Sequence, residues 1–241
     1  MSGHGGRAVS SPFRSGTTRR YGRDVSDDPT DDPIDERELA ADIGDVVTSH
    51  ARLVEHLGAI DPVAPTTPSL LPDWTVGHVL THLARNADSH LSMLRGDPQY
   101  PHGREGRDAD IEDGATRSWD ELLDDLEQTS AAVDAAFRDC VDWSGNVATI
   151  AAARPKVMLP FLRQREVEVH HADLGLGYAF ADFPARYLRK ELRMMEMQWR
   201  ARKPMGLTPL PESALALPPP TRLAWLMGRI EIDALPPAHL L

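Results

Sequence analysis

The stretch Thr75-Val76-Gly77-His78-Val79-Leu80-Thr81-His82-Leu83-Ala84-Arg85-Asn86-Ala87-Asp88-Ser89-His90-Leu91-Ser92-Met93-Leu94 decides the fold. Val76, Val79, Leu80, Leu83, Ala87, Leu91 and Leu94 recur at steps of three and four, which is the period of a helix with one buried face. Thr75 offers a capping hydroxyl at the start, and Gly96-Asp97-Pro98 ends the segment. His78, His82, Asn86 and His90 stand four residues apart, so a helix lines them up beside the apolar stripe.

Helical spacing continues on both sides. Upstream, Leu39, Ile43, Val46, Val47, His50, Leu53, Val54 and Leu57 predict a first helix that begins near Asp35 and stops at Gly58. A proline-rich connection runs from Asp61 to Asp73. Downstream, the polar, glycine-containing span from Gln99 to Thr116 reads as a loop. Ser118 with Glu121 forms a capping box for a third helix, whose inner face is Leu122, Leu126, Val133 and Phe137. A loop near Asp142 to Ala148 precedes a fourth helix after Ala153, with Pro155 in its first turn and Pro160 starting or kinking it. That helix runs to Gly175-Leu176-Gly177. Asp182 and Pro184 open a fifth, through Leu188, Leu192, Met195 and Trp199, which Pro204 closes. The proline-rich remainder has room for a short helix, Thr221 to Met227, and a short strand around Ile230 to Ile232.

With no internal repeat and no sustained alternation, the pattern predicts an all-α, up-and-down four-helix bundle with a fifth helix and a short C-terminal segment. Residues 1–34 are rich in Gly, Ser, Arg and Asp, bury little, and are expected to form a disordered tail. The bundle then spans residues 35–181, and the fifth helix with the C-terminal segment spans 182–241.

Composition narrows the function classes. The 241 residues carry 26 Lys plus Arg against 37 Asp plus Glu, a formal charge of -11. Binding to nucleic acid or to anionic membrane runs on clustered cations, so neither is an expected partner. No apolar run reaches the roughly 20 residues needed to span a bilayer, and Met1 to Gly16 has no apolar signal core, so a cytosolic location is expected. Only Lys156, Lys190 and Lys203 are lysines. So heavy a use of arginine reads as codon bias and singles out no individual arginine. Cys140 stands alone, which excludes an internal disulfide and any multi-cysteine zinc site. Its surroundings, Phe137, Val141 and Trp143 with Arg138, suit an inert packed thiol.

Two histidine-bearing places could hold chemistry: the row on the second helix, and Arg163 to Leu174 on the fourth. Glu166 and His170 are four apart, so one helical turn can present both to one ion. Catalytic zinc commonly takes three His or carboxylate ligands and leaves a position open. Two of these on one helix and a third on its neighbour fit inside a bundle. Spacing alone leaves His78 as a rival to His82, and Glu168 with His171 as a rival pair.

Three motifs in order carry a resemblance: Trp74-Thr75-Val76-Gly77-His78-Val79-Leu80-Thr81-His82-Leu83-Ala84-Arg85-Asn86, then Arg165-Glu166-Val167-Glu168-Val169-His170-His171-Ala172-Asp173-Leu174-Gly175, then Leu223-Ala224-Trp225-Leu226-Met227-Gly228-Arg229. Together they resemble the mycothiol-dependent maleylpyruvate isomerases, members of the DinB-like group of four-helix-bundle metalloproteins. The resemblance covers about Glu36 to Arg229. It implies a divalent metal, zinc above all, on His82, Glu166 and His170. It implies substrate handling by Arg229, and supporting roles for Asn86 and Asp173. His78, His90 and His171 are expected to be structural. The chain departs from the family in its N-terminal extension and in a shorter, proline-rich C-terminal part, where the family has a fuller α+β domain on the substrate side.

The partners implied are a small-molecule substrate and a low-molecular-weight thiol, mycothiol. A metal-activated thiolate would add to the cis double bond of maleylpyruvate, allow rotation, and leave to give fumarylpyruvate. The alternatives are a mycothiol S-transferase acting on electrophiles and a metal- or ligand-binding bundle without turnover. Limited proteolysis is expected to remove residues 1–34 and leave the rest folded; a protected tail would contradict the domain reading.

Overall fold

The computed structural model describes residues 34–201, 209–238 and 240. The expected tail lies outside them except for Ile34, as does Pro204. The helices are α1 (Glu36–Ala59), α2 (Val76–Arg95), α3 (Gly103–Gly114), α4 (Trp119–Asp139), α5 (Leu159–Asp173), α6 (Ala185–Arg200), α7 (Glu212–Leu215) and α8 (Pro219–Leu226). A two-stranded antiparallel hairpin, β1 (Asn146–Ala148) and β2 (Ala153–Pro155), precedes α5.

Local chemistry sets the helix ends. The Asp35 carboxylate accepts the backbone N–H groups of Arg37 and Glu38 at 3.0 and 3.1 Å and caps α1. Thr75 caps α2 in a box whose return partner is His78, since the Thr75 N–H donates to His78 Nδ1 at 3.1 Å. Gly96, at φ 87°, closes α2 in the left-handed region that glycine enters freely. Ser118 and Glu121 cap α4 reciprocally.

Helices α1, α2, α4 and α5 form the bundle, ordered around the ring as α1, α4, α2, α5. Two apolar clusters fill it. One gathers Leu53, Leu57, Leu80, Leu83, Leu122 and Leu126; the other gathers Val46, Met93, Val133, Phe137 and Leu159. A third cluster covers the outer side of α5, where Phe161, Val169 and Ala172 meet Tyr187 and Trp199 of α6 and Leu223 and Trp225 of α8. Helix α5 therefore lies between two apolar layers.

Three expectations are corrected. The span Gln99–Thr116 is not all loop: α3 occupies Gly103–Gly114. It buries only Ile111, so it has no stripe to read. Glycine lets it lie close to α2. A Cβ on Gly77 would fall 2.0 Å from the Ala115 carbonyl oxygen, and one on Gly114 would fall 2.4 Å from Thr81 Cγ2. The loop near Asp142–Ala148 and the residues up to Pro155 pair as the hairpin, so α5 starts later, with Pro160 in its first turn. Ile230–Ile232 forms no strand among the described residues, because no second strand lies beside it. Cys140 sits at the C-cap of α4, half-buried, with its thiol directed at the Asp142 carbonyl at 3.3 Å.

Burial pushes the imidazoles of His50 and His90 down to about 4 and that of His171 to about 3, so all three are neutral at pH 7. In the unfolded chain they titrate near 6.5, so acid favours unfolding. Their contribution is present in full above that value and is lost as pH falls toward about 4. Denaturant midpoints of the metal-free protein are expected to decline steadily from pH 7 to about pH 4.5; a flat profile would show that these histidines are not held neutral.

Candidate metal centre

His82 reaches the centre from α2, and Glu166 and His170 from α5. His82 Nε2 lies 3.0 Å and His170 Nε2 3.5 Å from Glu166 Oε2. The two rings meet edge to face at 4.7 Å, and Trp74 stands edge-on to His82 at 5.4 Å. Donors 2.0–2.2 Å from a tetrahedral ion are separated by about 3.3 Å, which these spacings match. Among the described residues this is the one cluster of three His, Cys, Asp or Glu groups close enough to share an ion.

The protonation states also suit a cation. Burial pushes His82 down to about 4, which keeps its ring neutral. Burial alone would raise Glu166, but the bonds from His170 and His82 outweigh it and hold the carboxylate well below its ordinary range. His170 is raised: burial works against its charge, and the bonds to Asp173 and Glu166 win. Its Nδ1 faces Asp173 Oδ2 at 2.9 Å, so Nε2 is the nitrogen turned to the centre. A carboxylate behind a ligating imidazole is the usual means of fixing the tautomer and raising the ring's basicity.

Asp173 is itself held. Arg229 Nε donates to its Oδ1 at 2.9 Å and Nη2 to its Oδ2 at 3.1 Å, while Nη1 donates to the Met227 carbonyl at 3.0 Å. Arg229, expected at the substrate, thus forks onto the protein's own carboxylate. Asn86 accepts from the fully buried Arg163 at 2.8 Å, and Arg163 Nε donates to His50, whose Nδ1 faces Asp134 at 2.7 Å.

The rivals lie elsewhere. His78 belongs to the α2 capping box and faces Glu112 at 3.4 Å. His90 is buried and bonds the Asn86 carbonyl. Glu168 takes bonds from Ser49, Arg52 and Tyr178 on another side of α5, and His171 pairs with His56 at 2.6 Å under the stacked ring of Tyr178.

A cavity of about 410 Å³ adjoins the triad. Its lining includes His82, Glu166 and His170, together with Arg107 of α3, Arg154 of β2 and Arg165 of α5. The first two arginines have no counterpart among the residues singled out from sequence, because α3 has no stripe and each strand is three residues long. Arg107 Nη2 lies 3.2 Å from His82 Nδ1. A guanidinium only donates, so Nδ1 accepts, and the ring hydrogen is on Nε2, directed at Glu166.

The family described as the mycothiol maleylpyruvate isomerase N-terminal domain matches residues 46–175, a span that contains all three triad residues. Two solved structures are similar, each 26% identical with a TM-score of 0.63, covering 68% of this chain and 72% of theirs. They are a mycothiol-dependent maleylpyruvate isomerase and a mutant of such an enzyme with one histidine replaced by alanine. No curated protein sequence matches the chain.

Replacing His82 or His170 with Ala is expected to abolish stoichiometric zinc binding, while His78→Ala and His171→Ala retain it; the reverse ranking would overturn the ligand assignment. Asp173→Asn should weaken zinc by about 10–100-fold. Protons compete first at His170, whose pKa is raised, and at His82 only near pH 4. Zinc affinity should therefore begin to fall at a higher pH than an ordinary imidazole ligand would impose, as measured by titration against a competing chelator.

Proposed function

The chain belongs to the mycothiol maleylpyruvate isomerase family, and from that premise we propose that it converts maleylpyruvate, or a close analogue, to fumarylpyruvate with mycothiol as the thiol. The observation that carries this reading is the convergence of two neutral-capable imidazoles and one carboxylate on a cavity large enough for a small substrate. His82, Glu166 and His170 would hold a divalent ion, taken as zinc. Such an ion supplies positive charge that lowers the pKa of an entering thiol.

The chain's own groups do the rest. Glu166 would offset only part of a dication's charge, because His82 and His170 would act as neutral donors. Asp173 keeps the His170 hydrogen on Nδ1. Arg229 grips Asp173 with two parallel bonds and serves as a positioning residue for His170. Arg163 braces Asn86 and, through it, the turn of α2 that follows His82. In the reaction the thiolate sulfur adds to the cis double bond, and the π pair moves onto the conjugated carbonyl. The carbon–carbon bond is then single and turns. Return of the electron pair expels the thiolate and leaves the trans double bond, so the thiol is regenerated. This regeneration separates isomerisation from S-transfer.

A cytoplasmic enzyme of small molecules, without nucleic-acid or membrane partners, is part of the proposal. No helix among the described residues is long and apolar enough to cross a membrane.

The test is zinc-loaded full-length protein with maleylpyruvate, with and without mycothiol, and in parallel with a generic electrophile. Thiol-dependent fumarylpyruvate formation is expected, and Cys140→Ser should leave it unchanged. Arg229→Ala should lower kcat/KM by about 10–100-fold through misplacement of His170. Turnover without thiol would refute the reading, and accumulated conjugates with untouched maleylpyruvate would make the protein a transferase.

A further inference from the structure

The cavity beside the triad has the opposite charge balance to the chain. In a protein with a formal charge of -11, its lining includes three arginines and a single carboxylate, Glu166, which is already committed to the triad. Arg165 is neutralised within the fold, since it pairs with the buried Glu191 at 2.8 Å. The other two guanidinium groups are differently placed.

Arg154 has no hydrogen bond or ion pair on its guanidinium among the described residues. It stands opposite Val147 in the hairpin register, and cross-strand partners point to the same face. Val147 packs against the bundle, so the solvent-exposed Arg154, on the same face of the hairpin, stands at the open rim of the cavity. The turn of the hairpin is tied to the segment after α2, because the Ile150 N–H donates to Gln99 Oε1 at 2.8 Å.

Arg107 pairs with Asp108 and reaches His82 Nδ1 through Nη2. That second bond exists only while Nδ1 is an acceptor. An imidazole that gives its Nε2 lone pair to a cation carries its hydrogen on Nδ1 and can accept nothing there. Loading the triad therefore removes the acceptor of Arg107 Nη2 and leaves those hydrogens to the cavity.

We propose that Arg107 and Arg154 form the anion subsite of this cavity and grip the carboxylate of a small dicarboxylic or α-keto acid beside the metal centre. The proposal rests on the isomerase reading and assigns the carboxylate to these two side chains, with Arg229 acting one step behind the ligands. Planar guanidinium forks match a carboxylate in two parallel, charge-assisted bonds.

The experiment uses the full-length chain, zinc-loaded and zinc-free, with succinate as an unreactive dicarboxylate, succinamide as its uncharged analogue, and inorganic phosphate as a competing anion. Binding is followed by titration calorimetry at fixed ionic strength, and zinc content is measured on every sample. Succinate should bind the zinc-loaded protein, and succinamide and phosphate should bind more weakly. Arg154→Gln should weaken succinate by about tenfold or more, Arg154→Lys by less, with zinc content unchanged. Arg107→Gln should weaken it in the zinc-loaded protein more than in the zinc-free one. In turnover, Arg154→Gln should raise the KM for maleylpyruvate more than it lowers kcat. Unchanged succinate affinity in both glutamine variants, or phosphate binding as tightly as succinate, would overturn the subsite. If maleylpyruvate is not a substrate but succinate binding still depends on Arg154, the isomerase reading falls and the subsite stands.

Discussion

Burial of the polar side of α5 is the constraint on which the structure depends. Arg163, Gln164, Glu168, His171 and Asp173 are all removed from water on one helix of 15 residues. A buried polar group left without a partner costs about 1–3 kcal/mol, and more if charged, so each of these demands a neighbour. The partners come from every direction: Ser49, Arg52 and His56 from α1, Asn86 and the Leu83 carbonyl from α2, Tyr178 from the connection to α6, and Arg229 from beyond α8. Apolar packing would tolerate small shifts between helices. These bonds tolerate few, because sliding or turning α5 breaks several together. The position of Glu166 and His170 relative to His82 follows from that rigidity.

The same helix sorts its ionisable groups by surroundings. Glu168 and Glu166 lie half a turn apart, yet one answers cations and hydroxyls of the fold while the other faces two imidazoles. Among the histidines, His82 and His171 are driven neutral by burial, whereas His170, next in sequence to His171, is raised because Asp173 stands behind it. Burial thus keeps the His82 ring neutral, and a carboxylate makes His170 more basic. A divalent ion bound there would replace the proton that such a pair otherwise shares. Arg229 supports this from outside the cavity, and Arg163 from beneath it.

Charge is arranged on a larger scale as well. The acids lie mostly on the outside, and several pair with arginines there, as Asp125 does with Arg85 and Arg117. Around the cavity the arginines outnumber the acids. An anionic ligand would therefore meet arginines at the cavity of an otherwise negative molecule, a contrast that favours selection over non-specific attraction.

Periodicity and capping residues were enough to read the main helices, because an apolar stripe and a Ser or Thr cap act within a few residues of chain. Spacing placed Glu166 with His170 on one face for the same reason. Spacing did not choose between His82 and His78, nor between Glu168 and Glu166, since residues on one helix surface offer similar faces until a neighbour is packed against them. The structure separates them: His78 turns to the local capping box of its own helix, while packing against α1 and the connection to α6 turns Glu168 to Ser49, Arg52 and Tyr178. It also set α3 close against α2 at Gly77 and Gly114, folded the hairpin that places Arg154 at the rim of the cavity, and directed Arg229 to Asp173, 56 residues away. Local sequence determined which segments are helical and which donors share a turn. Which donors meet across helices was decided by long-range burial, where the cost of an unpaired charge outweighs local preference.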